Sequence, residues 1–243
     1  MNAASNTAGA RRIFILIHGA WHGGWCWRRV SDLLEQRGHK VFAPTLTGLG
    51  ERSHLMDGNI NLDTHIADVV NVIQWEGLEN IVLVGHSYGG WPVSGAIEQA
   101  FDRISSVVFL DAFVPEHGQK PLDVASEFAR KGILEAIGKG EISRVSPPAV
   151  TFHVNDKDQA WVDAKLTPQP VGVMLQPIKL TGARERLSKK TYIRAPKYPQ
   201  PAFDAYYRAK KTDPSWRTYE VPCGHDVMID MPERLTDILL EVA

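Results

Sequence analysis

Residues 81–90 read IVLVGHSYGG: a short apolar run that closes on a glycine–x–serine–x–glycine turn, with a helical pattern after it. The run has the length of one buried strand. Passing from strand to helix within five residues demands a sharp, strained corner. Gly85 and Gly89 permit that corner, which lifts the Ser87 hydroxyl clear of the sheet. The Tyr88 N–H then lies at a helix start, where positive partial charge can meet a developing oxyanion. A unit of this kind belongs to a parallel sheet with helical crossovers.

The flanking sequence keeps the same rhythm. RIFILIHG (12–19) reads as a buried strand ending in a glycine turn. WCWRRVSDLLEQRG (25–38) reads as a helix with Trp27, Val30, Leu33 and Leu34 on one face and Gly38 as its stop. HKVFAP (39–44) is a strand ended by Pro44, and NLDTHIADVVNVIQWEG (61–77) a helix capped by Asn61 or Asp63. SSVVFLDAF (105–113), KTYIR (190–194) and WRTYEVP (216–222) complete the strands. Helices are expected around 203–211 and over 232–243. Alternating strands and helices imply an α/β architecture, a mostly parallel sheet with helices on both faces. Between residues 114 and 187 the rhythm lapses. Helical stretches (122–137 and 158–166) stand among Pro147, Pro148, Pro168, Pro170 and Pro177, without a strand run. A block inserted near the edge where such sheets bind ligands reads as a helical cap. The expected organisation is a flexible tail over 1–12, a core of 13–113 with 188–243, and a cap over 114–187.

Composition narrows the function. The 243 residues are 44% hydrophobic and 23% charged, enough apolar mass for one sizeable core. A net charge of -1 leaves no basic surface for nucleic acid or an anionic membrane. No apolar run approaches the roughly 18 residues of a bilayer span. Residues 1–12 lack the apolar centre of a signal peptide. Cys26 and Cys223 form no motif and read as reduced packing residues, which points to a cytoplasmic protein.

Two further motifs carry chemistry. HGAWHGGW (18–25) follows the first strand, and its His-Gly turn can aim the Ala20 N–H into the same oxyanion hole as that of Tyr88. His18 and His22 stand four apart, but Gly19, Gly23 and Gly24 deny them a helical face, so no metal is expected. CGHDVM (223–228) lies between the last strand and the last helix, where His225 can reach Ser87 as general base. A carboxylate must orient that imidazole. Asp111 ends the strand that should neighbour the Ser87 strand, so it should open onto the same sheet edge. Asp204, beyond a proline-rich turn, and Asp226, adjoining His225, are the rivals. Trp21, Trp91, Phe113 and Trp161 flank the motifs or lie in the cap and could line an apolar pocket.

Taken together, HGAWHGGWCW, GHKVFAPTLTGLGER, VGHSYGG, LDAFVP and GHDVMIDMPE resemble the α/β-hydrolase fold family. Within it they are similar to the group of plant methyl esterases, hydroxynitrile lyases and bacterial esterase relatives. The resemblance implies cofactor-free cleavage of a small lipophilic carboxylic ester, with Ser87 as nucleophile, His225 as base and the Ala20 and Tyr88 amides as oxyanion hole. Its partner would be a small-molecule ester. There are departures. The family usually places its acid after the strand at 190–194, where this chain has Arg194, Ala195 and Pro196. Plant S-selective lyases carry a threonine at the position of Gly19 and a lysine at that of Asp226. An aspartate would oppose a departing cyanide that the lysine stabilises, which disfavours a lyase. A non-catalytic receptor on the same fold is disfavoured by the intact Ser87 and His225.

Overall fold

The computed structural model describes residues 11–243, so the tail expected over 1–12 lies, for its first ten residues, outside the described residues. The first half alternates strictly: β1 (Ile13–Ile17), α1 (Arg28–Gln36), β2 (Lys40–Phe42), α2 (Leu62–Trp75), β3 (Ile81–His86), α3 (Gly90–Ala100) and β4 (Ile104–Leu110). Next come α4 (Glu127–Gly138), the two-residue strands β5 (Ser143–Arg144) and β6 (Gln169–Pro170) with α5 (Asp156–Asp163) between them, and α6 (Ala183–Arg186). The last part holds β7 (Lys190–Arg194), α7 (Pro201–Lys211), β8 (Trp216–Glu220), α8 (Val227–Asp230) and α9 (Pro232–Val242). Six strands pair in parallel in the order β2-β1-β3-β4-β7-β8. This is the expected α/β architecture, with β3 and β4 at its centre.

Side chains alternate along each strand, so each strand feeds two cores. Ile15, Ile17, Leu83, Val107 and Phe109 pack on one face with Val69 of α2 and Ile97 of α3. Phe14, Leu16, Val82, Val84 and Leu110 pack on the other with Val30 and Leu34 of α1 and Leu235 and Leu239 of α9. Each such side chain, fully removed from water, contributes about 1.5–3 kcal/mol. Asn61 rather than Asp63 caps α2: its side chain accepts from the Thr64 N–H (3.1 Å), and Thr64 Oγ1 accepts in return from the Asn61 N–H (3.3 Å).

Two boundaries differ from expectation. The stretch Gly24–Trp27 is a 3-10 turn, and α1 begins only at Arg28. β4 ends at Leu110, because Asp111 turns the chain with a φ of 43°. Between β4 and β7 no strand joins the main sheet, as the pattern implied. That segment does hold the β5–β6 ribbon, whose two-residue strands are too short for any periodicity to announce. Among the described residues no helix is long and apolar enough to cross a membrane.

Candidate active site

Strand order reverses at β3, with β1 on one side and β4 on the other. The loops leaving the carboxyl ends of these three strands therefore meet over one edge of the sheet. They carry Ala20, Ser87 and Asp111.

Ser87 occupies the corner between β3 and α3 with a φ of 54°, a left-handed conformation that costs a non-glycine residue on the order of 1 kcal/mol or more. The corner is possible because the chain is bare beside it. A methyl group at Gly89 would stand 2.7 Å from the His18 carbonyl oxygen. One at Gly19 would stand 2.9 Å from Ser87 Cβ. The His18 loop thus lies directly against the serine, and its own geometry is set by two buried histidines.

His18 Nδ1 donates to the Gly19 carbonyl (2.8 Å) while its Nε2 accepts from the Leu46 N–H (3.0 Å). Those partners assign the neutral tautomer, and burial pushes the His18 pKa down to about 3. The Gly19 carbonyl and the Ala20 N–H share one peptide plane, so this bond aims the amide. His22 differs. Its Nδ1 meets the Ala20 carbonyl (2.8 Å) and its Nε2 the Asp226 carboxylate (3.0 Å), so both nitrogens face acceptors. Only the imidazolium can donate to both. Burial opposes that charge, but Asp226 outweighs it and raises the pKa. In return, although burial would raise Asp226, His22 and then His86 and His225 hold it down at about 2.

His225 sits 4% exposed between the rings of Tyr198 and His86, each 4.4 Å away by centroid. Its N–H donates to the Phe152 carbonyl (2.9 Å), and its own carbonyl accepts from His86 Nε2 (3.0 Å). Its Nδ1 donates to Asp111 Oδ2 at 2.6 Å. Nε2 is then the basic nitrogen, and the ring lines the same cavity as Ser87. Asp111 is fully buried. Its Oδ1 accepts from Arg194 Nη1 (2.6 Å) and from the Ala195 N–H (3.0 Å). Arg194 also donates through Nε to Asp204 Oδ1 (2.8 Å) and to the carbonyls of Ala195 and Tyr198 (2.6 Å each). Burial disfavours the guanidinium charge, yet Asp111 and Asp204 together raise its pKa.

The structure therefore brings Ser87, His225, Asp111, Ala20 and Tyr88 to one place, and it puts the two rival acids elsewhere. Asp204 meets Arg194, not His225, and Asp226 turns into the interior toward His22. Trp21, Trp91 and Phe113 line the cavity of about 480 Å³ above Ser87. Trp161 does not. It packs edge-on against Trp25 at 5.1 Å, beneath the Arg29 guanidinium at 5.4 Å, because the face of α5 that bears it turns toward the 3-10 turn and α1 rather than toward the cavity. Sequence reasoning missed Arg194, whose signal was an arginine ending the strand KTYIR; such a charge, once buried, needs an acidic partner. It also missed the Arg144–Gln169 pair across β5 and β6, which nothing in the local sequence announces. Among the described residues no group of three His, Cys, Asp or Glu side chains could hold a metal ion.

Known proteins resemble this chain in sequence and in fold. A family model described as "Alpha/beta hydrolase family" matches residues 14–238. The chain is similar to a carbendazim hydrolyzing esterase of Nocardioides sp. (strain SG-4G), 38% identical over 93% of this chain and 97% of that protein. It is also similar to methylesterase 2 of Arabidopsis thaliana, 38% identical over 48% of this chain and 45% of that one. Among solved structures, an extracellular alpha/beta-hydrolase from a Paenibacillus species superposes with a TM-score of 0.81 at 21% identity, covering 96% of this chain and 99% of that one. At that identity the likeness concerns the fold.

Proposed function

This chain belongs to the alpha/beta hydrolase family and is a carboxylesterase-type hydrolase, and from that premise we propose that it cleaves small lipophilic carboxylic esters through an acyl-enzyme on Ser87. His225 Nε2 takes the Ser87 proton as Oγ adds to the ester carbonyl carbon. The carbonyl oxygen becomes an oxyanion that accepts from the Ala20 and Tyr88 N–H groups. Collapse breaks the bond to the alcohol oxygen, which leaves with the proton from His225. Water, deprotonated by the same nitrogen, then attacks the acyl carbon and frees the acid. Asp111 holds the imidazole in the tautomer that leaves Nε2 basic and stabilises the imidazolium while it exists.

The observation that carries this reading is the 2.6 Å bond from His225 Nδ1 to the buried Asp111, with the same ring lining Ser87's cavity. Strained serine, histidine and carboxylate have no shared packing purpose that would explain their meeting. The cavity walls favour an apolar substrate, since Trp91, Phe113, Ile133, Val171, Met174 and Phe203 contribute to them. Half of those come from 114–187, which we read as the cap that selects the ester. A lyase finds less support. Position 226 carries a carboxylate already engaged by His22, and a side chain at 19 would collide with Ser87.

The test is hydrolysis of p-nitrophenyl acetate and butyrate beside cleavage of mandelonitrile. Ester turnover indifferent to EDTA is expected, with Ser87→Ala slower by at least about 10³-fold and a phosphonate bound to Ser87 alone. Mandelonitrile cleavage without esterase activity, or labelling of another serine, overturns the assignment.

A further inference from the structure

Apolar side chains make up most of the cavity wall, and among the described residues that line it Arg144 brings the one guanidinium or ammonium group. Arg144 of β5 and Gln169 of β6 are directly paired across the ribbon, and both line the cavity. Paired residues on a two-stranded ribbon project from the same face with their Cβ atoms about 5 Å apart. Both are tied to Trp21, the residue after Ala20. The Trp21 N–H donates to Gln169 Oε1 (2.9 Å), and Trp21 Nε1 donates to the Arg144 carbonyl (3.2 Å). The Arg144 guanidinium lies over the Trp21 ring at 5.0 Å.

The amide orientation of Gln169 follows, because the Trp21 N–H needs an acceptor. The Gln169 NH₂ is therefore a donor; the residue is 2% exposed, and this nitrogen has no partner among the described residues. A buried donor left unpaired is costly, and so is a half-buried guanidinium without an acid. Arg144 has none. Burial alone acts on its pKa, lowering it, with no carboxylate opposing. No aspartate or glutamate stands among the residues that line the cavity.

We propose that Arg144 and Gln169 form a carboxylate subsite beside the oxyanion loop, so that the preferred substrates are half-esters of dicarboxylic acids. The free carboxylate accepts from the guanidinium and the Gln169 NH₂ while the ester carbonyl lies at Ser87. This rests on the hydrolase reading above and narrows its substrate class. Trp21 couples the two places: it follows the oxyanion donor in sequence and fixes both subsite residues through its own two N–H groups.

Binding is tested apart from turnover. Monomethyl esters of linear dicarboxylic acids of graded length are titrated calorimetrically into Ser87→Ala. Each is compared with the methyl ester in which a methyl group replaces the free carboxylate. At the best length the half-ester should bind roughly 10- to 100-fold more tightly, the range of a hydrogen-bonded charge pair. Adding Arg144→Met, or Gln169→Glu, which keeps the acceptor for Trp21 but supplies Arg144 with an acid, should remove at least about tenfold of that preference. Melting curves confirm that each variant is folded. In otherwise wild-type enzyme the same substitutions should lower the kcat/KM ratio of half-ester to neutral ester. Equal binding of both esters at every length, or a preference that survives both substitutions, overturns the subsite and leaves the hydrolase reading intact. Tight, Arg144-dependent binding without turnover in the wild type supports the subsite and removes the hydrolase reading instead.

Discussion

Replacing Asp111 by asparagine tests the hydrolytic machinery at its most informative atom. The carboxylate has two differently engaged oxygens. Oδ1 accepts from Arg194 Nη1 (2.6 Å) and from the Ala195 N–H (3.0 Å), while Oδ2 accepts from His225 Nδ1 (2.6 Å). An asparagine has one oxygen, and the two donors beside Oδ1 claim it. Its NH₂ group is then presented to His225 Nδ1, where it can only donate. That forces the imidazole proton onto Nε2 and leaves the ring unable to accept from Ser87. A reversed tautomer in a triad of this type costs about 10⁴-fold in kcat. Here Arg194 locks the amide in the unfavourable orientation, so a loss of roughly 10³- to 10⁴-fold is expected. Stability should fall less dramatically. Both Oδ1 bonds survive, but the charge that Arg194 faces is halved, a cost of about 1–3 kcal/mol. Initial rates on p-nitrophenyl acetate give the first quantity, and urea unfolding gives the second. Asp204→Asn is the control, because its half-exposed carboxylate accepts from Arg194 and not from His225, and its loss should slow the enzyme less than about tenfold. An Asp111→Asn enzyme within tenfold of wild type, alongside a dead Asp204→Asn, would falsify the assignment.

Arg194→Met should destabilise the protein by about 3–5 kcal/mol in denaturant titration, since it strands a fully buried Asp111 and two carbonyls; a loss below about 1 kcal/mol would mean that the pair is dispensable. Acid should unfold the protein early. His18 and His65 are buried and neutral with pKa values near 3 and 4, below the unfolded value of 6.5, so stability is full above pH 6.5 and is lost as pH falls. Each costs about 1.4 kcal/mol of stability per pH unit below 6.5, a loss on the order of 4 kcal/mol for the two together by pH 5. His22 works in the opposite sense: its raised pKa adds stability that is complete below 6.5 and lost above it, and Asp226→Asn should abolish that alkaline decline. Denaturant midpoints between pH 5 and 9 measure both, and a flat acid limb contradicts the two buried neutral histidines. Trp161→Ala should leave the ester profile unchanged while costing about 1–2 kcal/mol of packing against Trp25, and a shifted profile would return that residue to the cavity.

What the sequence determined by itself is whatever a few neighbouring residues can encode. The apolar runs IFILI and IVLVGH, the helical stripe of α1 and a cap at Asn61 or Asp63 act within a turn or a strand, so the α/β sheet and its serine corner were legible before any coordinates. The place of Asp111 was legible too, because strand succession on a parallel sheet puts the ends of β3 and β4 side by side. Other features join residues far apart in the chain, and only tertiary packing decides them. Arg194 finds Asp111 across 83 positions, and His22 finds Asp226 across 204. The segment between β4 and β7 shows the limit most clearly. Its ribbon strands are too short to carry a period, so nothing local tells that Arg144 faces Gln169 while Trp161 faces away. Those orientations follow from how this segment packs on Trp21 and Trp25, an energy summed over contacts that no window of sequence contains.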